Sequence, residues 1–360
     1  MKTLRGGAVG VLAAVLLAAC GGGDDAPAPE KINYTQLVSF GDSLSDVGSY
    51  ATPGLVAATG GGTYTVNGAG VQIWIERLAA TLQVPAPCAA QTGLQSVGPL
   101  AGFAAPVTNH PGCYAYGQGG SRVTNPVGIG NVATLPGQSS GALGQLTVPV
   151  LTQISNHLAA AGGSFSGTEM VTVLAGANDV FTQIGIVQAT VAAGGNAQAA
   201  GQAATAAMGL AGGELAAYIK NLIVAKGAKR VVVVGIPVVS ATAFGLAQSQ
   251  ATRDLIQVMS FTFNSNLQYG LSGVGEVLYI DGYTLFQNWT SNPAAYGLSS
   301  VAQPACNLTV VSTSLFCTGA TTVPGDVSRY LFADTVHPTP YGPELFWNSV
   351  VGALDAKGWL

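Results

Sequence analysis

Short apolar runs, separated by longer stretches with helical spacing, dominate this chain of 360 residues. The apolar runs predict strands at residues 36–40, 113–116, 170–174, 230–236 and 276–280. The run at 230–236 is the clearest because it holds four consecutive valines, and β-branched residues favour strands. Apolar residues at helical spacing predict helices at 71–82, 150–161, 199–225, 260–271 and 341–354.

Strands that alternate with helices predict a parallel sheet covered by helices on both faces. The predicted strands are almost continuously apolar, as a sheet buried on both sides requires. The pattern therefore predicts an α/β fold of three layers, with a central parallel sheet of about five strands. Ligands bind beyond the carboxyl ends of such strands, where Ser43 follows the first strand and Asn178 the third. Two loop-rich regions, 84–142 and 286–330, are predicted to form lids or walls of a cleft.

Composition and charge narrow the class of protein. Charged residues make up only 8% of the chain and the net charge is −4, against about 25% charged residues in an average soluble domain. No basic run follows the N-terminus, so a nucleic-acid partner is not expected. The chain has three histidines and no Cys-x-x-Cys pattern, so no metal site is predicted. Nothing in the sequence implies an organic cofactor.

The N-terminus has the features of a targeting segment. Lys2 and Arg5 precede an apolar run at 8–19 that is too short for a comfortable transmembrane helix. The run ends in Leu-Ala-Ala-Cys, which resembles the lipobox of bacterial lipoproteins and would make Cys20 the lipidated first residue. The predicted organisation is a signal peptide at 1–19, a flexible tether at 20–32 and a single domain at 33–360. The alternative is an ordinary signal peptide cut nearby.

Four cysteines remain once Cys20 is set aside, and an even number in an exported chain predicts two disulfides. Three pairings are possible. We favour Cys88–Cys113 and Cys306–Cys317, because each closes a loop region rich in glycine, proline and polar residues. The alternative is free buried thiols.

Two distant segments supply the parts of one nucleophilic site. Ser43 lies in Ser-Phe-Gly-Asp-Ser-Leu-Ser, and Asp334 and His337 lie in Asp-Thr-Val-His near the C-terminus. A serine hydroxyl is a weak nucleophile until a neighbouring base takes its proton. A histidine does this best when a carboxylate fixes its tautomer. The sequence therefore predicts a site in which Ser43 attacks, His337 is the base and Asp334 orients it.

These segments are two of four ordered blocks that resemble the GDSL, or SGNH, hydrolases. The other two are the stretch Tyr114–Arg122, which is similar to the family's Gly-Gly-Ala-Arg segment, and Gly-Ala-Asn-Asp at 176–179. The resemblance implies a flavodoxin-like fold and places oxyanion donors at Gly120 and Asn178, with Gly119 as a possible substitute for Gly120. Resemblance extends over about 36–355 to the plant-lipase and bacterial lecithinase/haemolysin branch, through segments such as Asn67-Gly68.

The resemblance implies a secreted serine esterase or lipase that hydrolyses acyl esters, small or lipid, through an acyl-enzyme. With Cys20 lipidated, the protein would be anchored to the outer membrane; secretion is the alternative. Acyl transfer and deacetylation of a polysaccharide are alternatives on the same site. A non-catalytic envelope-binding lipoprotein is an alternative of another class.

Individual residues also have competing interpretations. Ser43 and Asn178 could instead cap helices. Ser139 is a rival nucleophile because Gly-Gln-Ser-Ser-Gly fits the Gly-x-Ser-x-Gly pattern, but the preceding segment is a poor strand and that motif needs a strand–turn–helix context. His110 and His157 are interpreted as surface or packing residues. Asp42, Asp46 and Asp179 are interpreted as structural.

Overall fold

The four consecutive valines form a fully buried inner strand of a parallel sheet. This computed structural model describes residues 32–95, 102–131, 133, 143–144 and 146–360. The strands are β1 (Leu37–Gly41), β2 (Gln91–Leu94), β3 (Ala105–Asn109), β4 (Met170–Leu174), β5 (Val231–Val234) and β6 (Val277–Ile280). The α-helices are α1 (Pro53–Thr59), α2 (Trp74–Leu82), α3 (Val150–Ala160), α4 (Ala177–Ala192), α5 (Ala197–Tyr218), α6 (Ala243–Leu246), α7 (Gln250–Leu271), α8 (Gly282–Ser291) and α9 (Tyr341–Ala356).

The predicted α/β architecture is confirmed. Among the described residues the central sheet has four parallel strands in the order β1-β4-β5-β6. Successive side chains of a strand point to opposite faces, so Val231 and Val233 enter the core under α3, α4, α5 and α7. Val232 and Val234 enter the second core, under α2, α8 and α9. The sheet is thus the middle of three layers.

The fifth predicted strand, at 113–116, is reduced to a bridge beside β1. The backbone N–H of Ser39 donates to the carbonyl of Tyr114 over 3.1 Å, and the N–H of Tyr116 donates to the carbonyl of Ser39 over 2.7 Å. A turn at Gly112, which has a φ of +88°, precedes this segment. The N–H of Gln118 also donates to the carbonyl of Gly41 over 3.2 Å, but the regular pairing with β1 is the single bridge between Ser39 and Ala115.

Helix limits differ from the sequence prediction where capping and tertiary packing act. α7 begins ten residues before the predicted start at 260, because the Ser249 hydroxyl accepts a hydrogen bond from the N–H of Thr252 and caps the helix. α4 was not predicted at all, since it is rich in β-branched residues with modest helix propensity. Its buried face packs against the core, and this burial offsets the weak propensity.

The two loop-rich regions contain some regular structure. In 84–142, β2 and β3 pair as an antiparallel hairpin; in 286–330, the end of α8 is followed by short 3-10 turns. The predicted disulfides Cys88–Cys113 and Cys306–Cys317 are both present. Ile32–Leu360 forms one compact unit. In the described part of the chain, no helix has the length and apolar character to cross a membrane. The predicted signal peptide, Cys20 and the tether up to residue 31 lie outside the described residues, as does Ser139.

Candidate active site

The end of β1 presents Ser43 at the edge of the sheet. Gly41, the last residue of the strand, has a φ of +155°, and a Cβ there would lie 2.2 Å from the carbonyl oxygen of Leu174 on the neighbouring strand. Only glycine therefore lets β1 pair with β4 to its last residue and then turn. The Asp42 carboxylate accepts a hydrogen bond from the N–H of Leu44, 3.1 Å away, and caps the 3-10 turn Ser43–Ser45. Asp42 thus shapes the turn that carries Ser43.

His337 lies between Ser43 and Asp334. The Ser43 Oγ is 2.8 Å from the His337 Nε2, and the His337 Nδ1 is 2.8 Å from the Asp334 Oδ2. A carboxylate at Nδ1 holds the proton on that nitrogen, which leaves Nε2 free to accept one from the serine. The three side chains that the sequence predicted to act together are therefore in hydrogen-bonding contact in series.

Asp334 is buried and held as an anion. Its carboxylate accepts hydrogen bonds from the backbone N–H groups of Ser314, Val336 and His337, at 2.8, 2.9 and 2.8 Å. Burial opposes ionisation, but the charge of His337 and these hydrogen bonds outweigh it and hold the pKa of Asp334 well below its ordinary value. The carboxylate is therefore ionised across the physiological pH range.

Gly120 and Asn178 border the space in front of Ser43. Gly120 has a φ of +79°, and a Cβ there would lie 2.0 Å from the carbonyl oxygen of Ile129, so no other residue fits this backbone. Asn178, in the first turn of α4, donates one amide hydrogen to the carbonyl of Ser121 over 2.9 Å. An amide nitrogen has two hydrogens, so the second remains for a ligand. The N–H of Gly119, the alternative donor, is engaged with the Asp46 carboxylate at 2.9 Å.

A cavity of about 610 Å³ opens over Ser43, His337, Gly120 and Asn178. Its remaining wall combines aromatic and aliphatic side chains with neutral hydroxyls and amides. The apolar members include Leu94, Ile129, Phe181, Ile184, Phe244, Leu315 and Phe316; the neutral polar members are Gln188, Thr242, Ser312, Thr313 and Thr335. The loop-rich regions thus supply part of the wall, as the sequence predicted.

Three buried carboxylates support the loops around the serine. Burial raises the pKa of Asp42 to about 7 and that of Asp46 to about 6. Asp46 nevertheless accepts hydrogen bonds from the N–H groups of Gly48, Ser49 and Gly119, which tie the segment after the serine to the Gly120 loop. Asp179 accepts from the Arg122 guanidinium and from the N–H of Val123, at 2.9 and 3.0 Å, and so fixes the far end of that loop.

The other two histidines are remote from this chemistry. The His110 Nε2 is 2.7 Å from the Thr92 hydroxyl, next to the β2–β3 hairpin. His157 is fully buried among the rings of Phe40, Tyr114, Tyr116 and Phe165. Desolvation lowers its pKa to about 4, so that it is a neutral packing residue at pH 7. Among the described residues there is no group of three or more histidine, cysteine or acidic side chains that could hold a metal ion.

Comparison with known proteins places this arrangement in a family. The family model for the GDSL-like Lipase/Acylhydrolase domain matches residues 37–350. The chain belongs to this family. The anther-specific proline-rich protein APG of Arabidopsis thaliana is 31% identical over 121 residues, which cover 31% of this chain and 23% of that protein. A GDSL esterase/lipase of the same plant is 30% identical over 95 residues, or 26% of this chain and 25% of its own length.

The matched stretches thus span about a quarter of the length of these curated relatives. An extracellular lipase from Streptomyces rimosus is a structural match that covers 89% of this chain and 99% of its own. Its sequence identity is 16% and its TM-score is 0.38.

Three side chains that the sequence analysis did not select, those of Tyr64, Asn67 and Gln153, hold the site in place. The Tyr64 ring stacks on the His337 ring, with centroids 4.5 Å apart and an angle of 33° between planes. The Asn67 amide donates to the carbonyls of Ser314 and Thr65 and accepts from the N–H of Thr63. It joins the Tyr64 loop to the loop that binds Asp334. The Asn67-Gly68 pair was noted as a family feature, but nothing in the sequence indicated this role.

Gln153, in the first turn of α3, supports the other half of the site. Its Oε1 accepts a hydrogen bond from the N–H of Gly41 and its Nε2 donates to the carbonyl of the same residue, both over 2.8 Å. The side chain thus satisfies the last backbone groups of β1 immediately before the serine. No local sequence signal distinguishes this glutamine from a surface residue of a helix.

Proposed function

We propose that this protein is a serine esterase that hydrolyses acyl esters through a covalent acyl-enzyme on Ser43. The observation that carries the proposal is the series of contacts from the Ser43 hydroxyl to the His337 imidazole and on to the Asp334 carboxylate. Membership of the GDSL-like Lipase/Acylhydrolase family supports the same chemistry.

In the first half of the reaction, the Ser43 Oγ attacks the ester carbonyl while the His337 Nε2 takes its proton. Negative charge then develops on the carbonyl oxygen, which the backbone N–H groups of Ser43 and Gly120 and the free amide hydrogen of Asn178 would stabilise. His337 returns the proton to the departing alcohol. In the second half it takes a proton from water, which hydrolyses the acyl-enzyme. Asp334 steadies the imidazolium that forms in both halves.

A labelling experiment tests the nucleophile. A fluorophosphonate probe reacts with an activated serine, so we expect the folded wild-type protein and the Ser139→Ala variant to be labelled and to hydrolyse p-nitrophenyl acetate. The Ser43→Ala variant should lose both signals. Labelling that persists in Ser43→Ala and disappears in Ser139→Ala would move the site to the Gly-x-Ser-x-Gly segment. Folded wild-type protein that shows no labelling, with or without detergent, would instead support the non-catalytic binding lipoprotein.

We further propose that the protein is exported and anchored to the outer membrane through a lipid on Cys20. The two disulfides support export, because such bonds persist in oxidising compartments. In a bacterial host, the wild-type protein should incorporate labelled palmitate and fractionate with the outer membrane. The Cys20→Ser variant should do neither while keeping its esterase activity after purification. Palmitate-free wild-type protein in the culture medium would favour an ordinary signal peptide and secretion.

A further inference from the structure

Two cavities of very different size meet at Ser43. The large one holds His337, Gly120 and Asn178, as described above. The second has a volume of about 20 Å³ and lies between the ends of β4 and β5 and the helices α2, α8 and α9. The walls of the two cavities share Ser43, Leu44, Tyr64 and Pro237. Its wall is almost wholly apolar and includes Ile73, Trp74, Leu174, Val234, Phe286 and Phe346.

We propose that the small cavity receives the acyl group and the large cavity the alcohol, so that the enzyme selects short-chain acyl esters of large, uncharged alcohols. This inference rests on the proposed esterase function and specifies its substrate. It is supported by the geometry of the tetrahedral intermediate, by the size of the small cavity and by the charge of the wall of the large cavity.

The geometry follows from the tetrahedral intermediate, in which the reacting carbon carries four groups. One is the Ser43 Oγ, and the second is the oxyanion, which must face the donors at Gly120 and Asn178. The third is the leaving oxygen, which must lie near the His337 Nε2 to receive its proton. The residues that meet these three groups, Ser43, Gly120, Asn178 and His337, all border the large cavity. The small cavity is not bordered by Gly120, Asn178 or His337, and Ser43 is the one reacting group that it contacts. The small cavity is therefore the space left for the fourth group, the acyl chain.

The size of the small cavity limits that chain. A volume of about 20 Å³ is close to the roughly 10–15 Å³ that one water needs by the same kind of measure, so it admits a methyl-sized group and little more. Its wall cannot retreat easily. Trp74 and Phe346 pack edge to face with centroids 4.8 Å apart, and the Trp74 Nε1 donates to the carbonyl of Leu44 over 2.9 Å. A longer chain would have to displace this close-packed core.

The large cavity indicates the class of alcohol. Apart from Asp42 and His337, its described wall carries neutral hydroxyls and amides between apolar side chains, and no lysine or arginine is among those residues. A phosphate group binds best to arginine, lysine or a cluster of backbone N–H groups. The described wall thus suits an uncharged alcohol with several hydroxyls, such as a glycan unit, better than a phospholipid headgroup.

A panel of p-nitrophenyl esters from acetate to palmitate, at concentrations below micelle formation, tests the length limit in the wild-type protein. We expect kcat/KM to be highest for acetate and to fall by about a hundredfold at octanoate, a difference of the size that a mismatched apolar pocket produces. An acetylated glycan should be deacetylated, and a long-chain phosphatidylcholine should not be cleaved. A kcat/KM that rises to octanoate or beyond, or rapid phospholipid cleavage, would overturn the inference.

Two matched variants test which cavity holds the chain. Phe286→Ala enlarges the small cavity, and we expect its preferred chain to lengthen by two carbons or more. Phe181→Ala enlarges the large cavity, and we expect its chain-length profile to keep the wild-type shape while its preference among alcohols changes. A longer preferred chain in Phe181→Ala, with an unchanged chain-length profile in Phe286→Ala, would contradict the inference. Phe286→Leu repeats the test with a smaller change if Phe286→Ala does not fold. Fluorophosphonate labelling of Ser43 in each variant keeps a failure of this inference distinct from a failure of the esterase proposal.

Discussion

The two halves of the candidate site are built in different ways. The Ser43 half ends a strand of the central sheet, and its last backbone groups are satisfied by β4 and by Gln153. The His337 half, which includes Asp334, lies in a loop outside any regular strand or helix. It is held by hydrogen bonds to Asp334, by the Tyr64 ring and by the Cys306–Cys317 disulfide.

This difference shows where the site depends on the global fold and where it depends on a few local contacts. Moving Ser43 requires the sheet to open, which costs much of the stability of the domain. Moving His337 requires only the loss of a small number of loop contacts. We therefore expect changes in the Ser43 half to lower stability, and changes in the His337 half to lower activity while the domain stays folded.

Among the residues that position Ser43 and His337, replacing Asp334 should have the largest effect on activity. In Asp334→Asn, the neutral amide no longer stabilises the His337 imidazolium and favours the wrong tautomer. We expect kcat to fall by about 10³–10⁴-fold, as in other sites of this kind, with folding retained in circular dichroism. Asp326→Asn is the matched control, because Asp326 is an exposed carboxylate of the same C-terminal region, and its kcat should equal that of the wild type. A fall in kcat of less than tenfold in Asp334→Asn would show that the carboxylate does not orient the base.

The two disulfides offer a direct test of the comparison, since one supports each half. Cys113 leads into the segment that pairs with β1, and Cys317 accepts a backbone hydrogen bond from Asn67 through its carbonyl. The bonds close loops with separations of 25 and 11 residues, so removing either should cost roughly 3 kcal/mol of unfolding free energy, slightly more for the longer loop.

The disulfide whose removal costs slightly less stability, Cys306–Cys317, should be the one whose removal costs more activity. We expect the Cys306→Ala/Cys317→Ala variant to lose about tenfold or more in kcat, because the Ser314 N–H is no longer fixed against Asp334. The Cys88→Ala/Cys113→Ala variant should stay within about threefold of the wild type at a temperature where it is folded. Urea titrations and steady-state kinetics on the same samples measure both quantities. Equal losses of kcat in the two variants would refute the distinction between the halves.

His157 gives the Ser43 half a specific sensitivity to acid. It packs against Phe40 of β1, and desolvation lowers its pKa to about 4, below the ordinary value of about 6.5. The unfolded chain therefore binds a proton that the folded protein excludes, so this contribution to stability falls as the pH drops from about 6.5 to 4. The expected loss is on the order of 3 kcal/mol, and it is flat below pH 4.

The variant His157→Phe removes the titrating group while keeping an aromatic ring in the cage. In urea unfolding between pH 4 and pH 7, the wild type should lose stability relative to His157→Phe as the pH falls. The raised pKa values of Asp42 and Asp46 act in the opposite sense, but they are common to both proteins and cancel in the difference. Parallel pH curves for the wild type and His157→Phe would show that His157 does not carry the effect.

The strands of the central sheet and the three reacting side chains could be predicted from the sequence. The apolar runs locate β1, β4, β5 and β6, because continuous hydrophobicity is a local signal that a buried parallel strand requires. The reduced pairing beside β1, a single bridge between Ser39 and Ala115 after the turn at Gly112, was not predicted. The hydrogen-bonded series Ser43–His337–Asp334 followed from short motifs that combine the right groups.

The supporting side chains could not be found in this way. Gln153 binds a backbone 112 residues away, and Asn67 binds the carbonyl of Ser314 across 247 residues. Glutamine and asparagine are ordinary at such positions, and their importance arises only when the fold brings the partners together. The same holds for Tyr64, whose ring stacks on His337 in the structure and for which nothing in the sequence indicated that contact.

Tyr64 should have the smallest effect, and it tests whether the His337 half is held by stacking. Aromatic pairs contribute about 0.5–1.5 kcal/mol beyond the burial of their area. If the ring alone orients His337, Tyr64→Leu should lower kcat by roughly two- to tenfold, with a smaller change in KM and a shift in the pH profile of kcat/KM. Tyr64→Phe keeps the ring and should remain within about twofold of the wild type. If Tyr64→Phe loses as much kcat as Tyr64→Leu, the phenol hydroxyl matters rather than the ring, and His337 is oriented by hydrogen bonds alone.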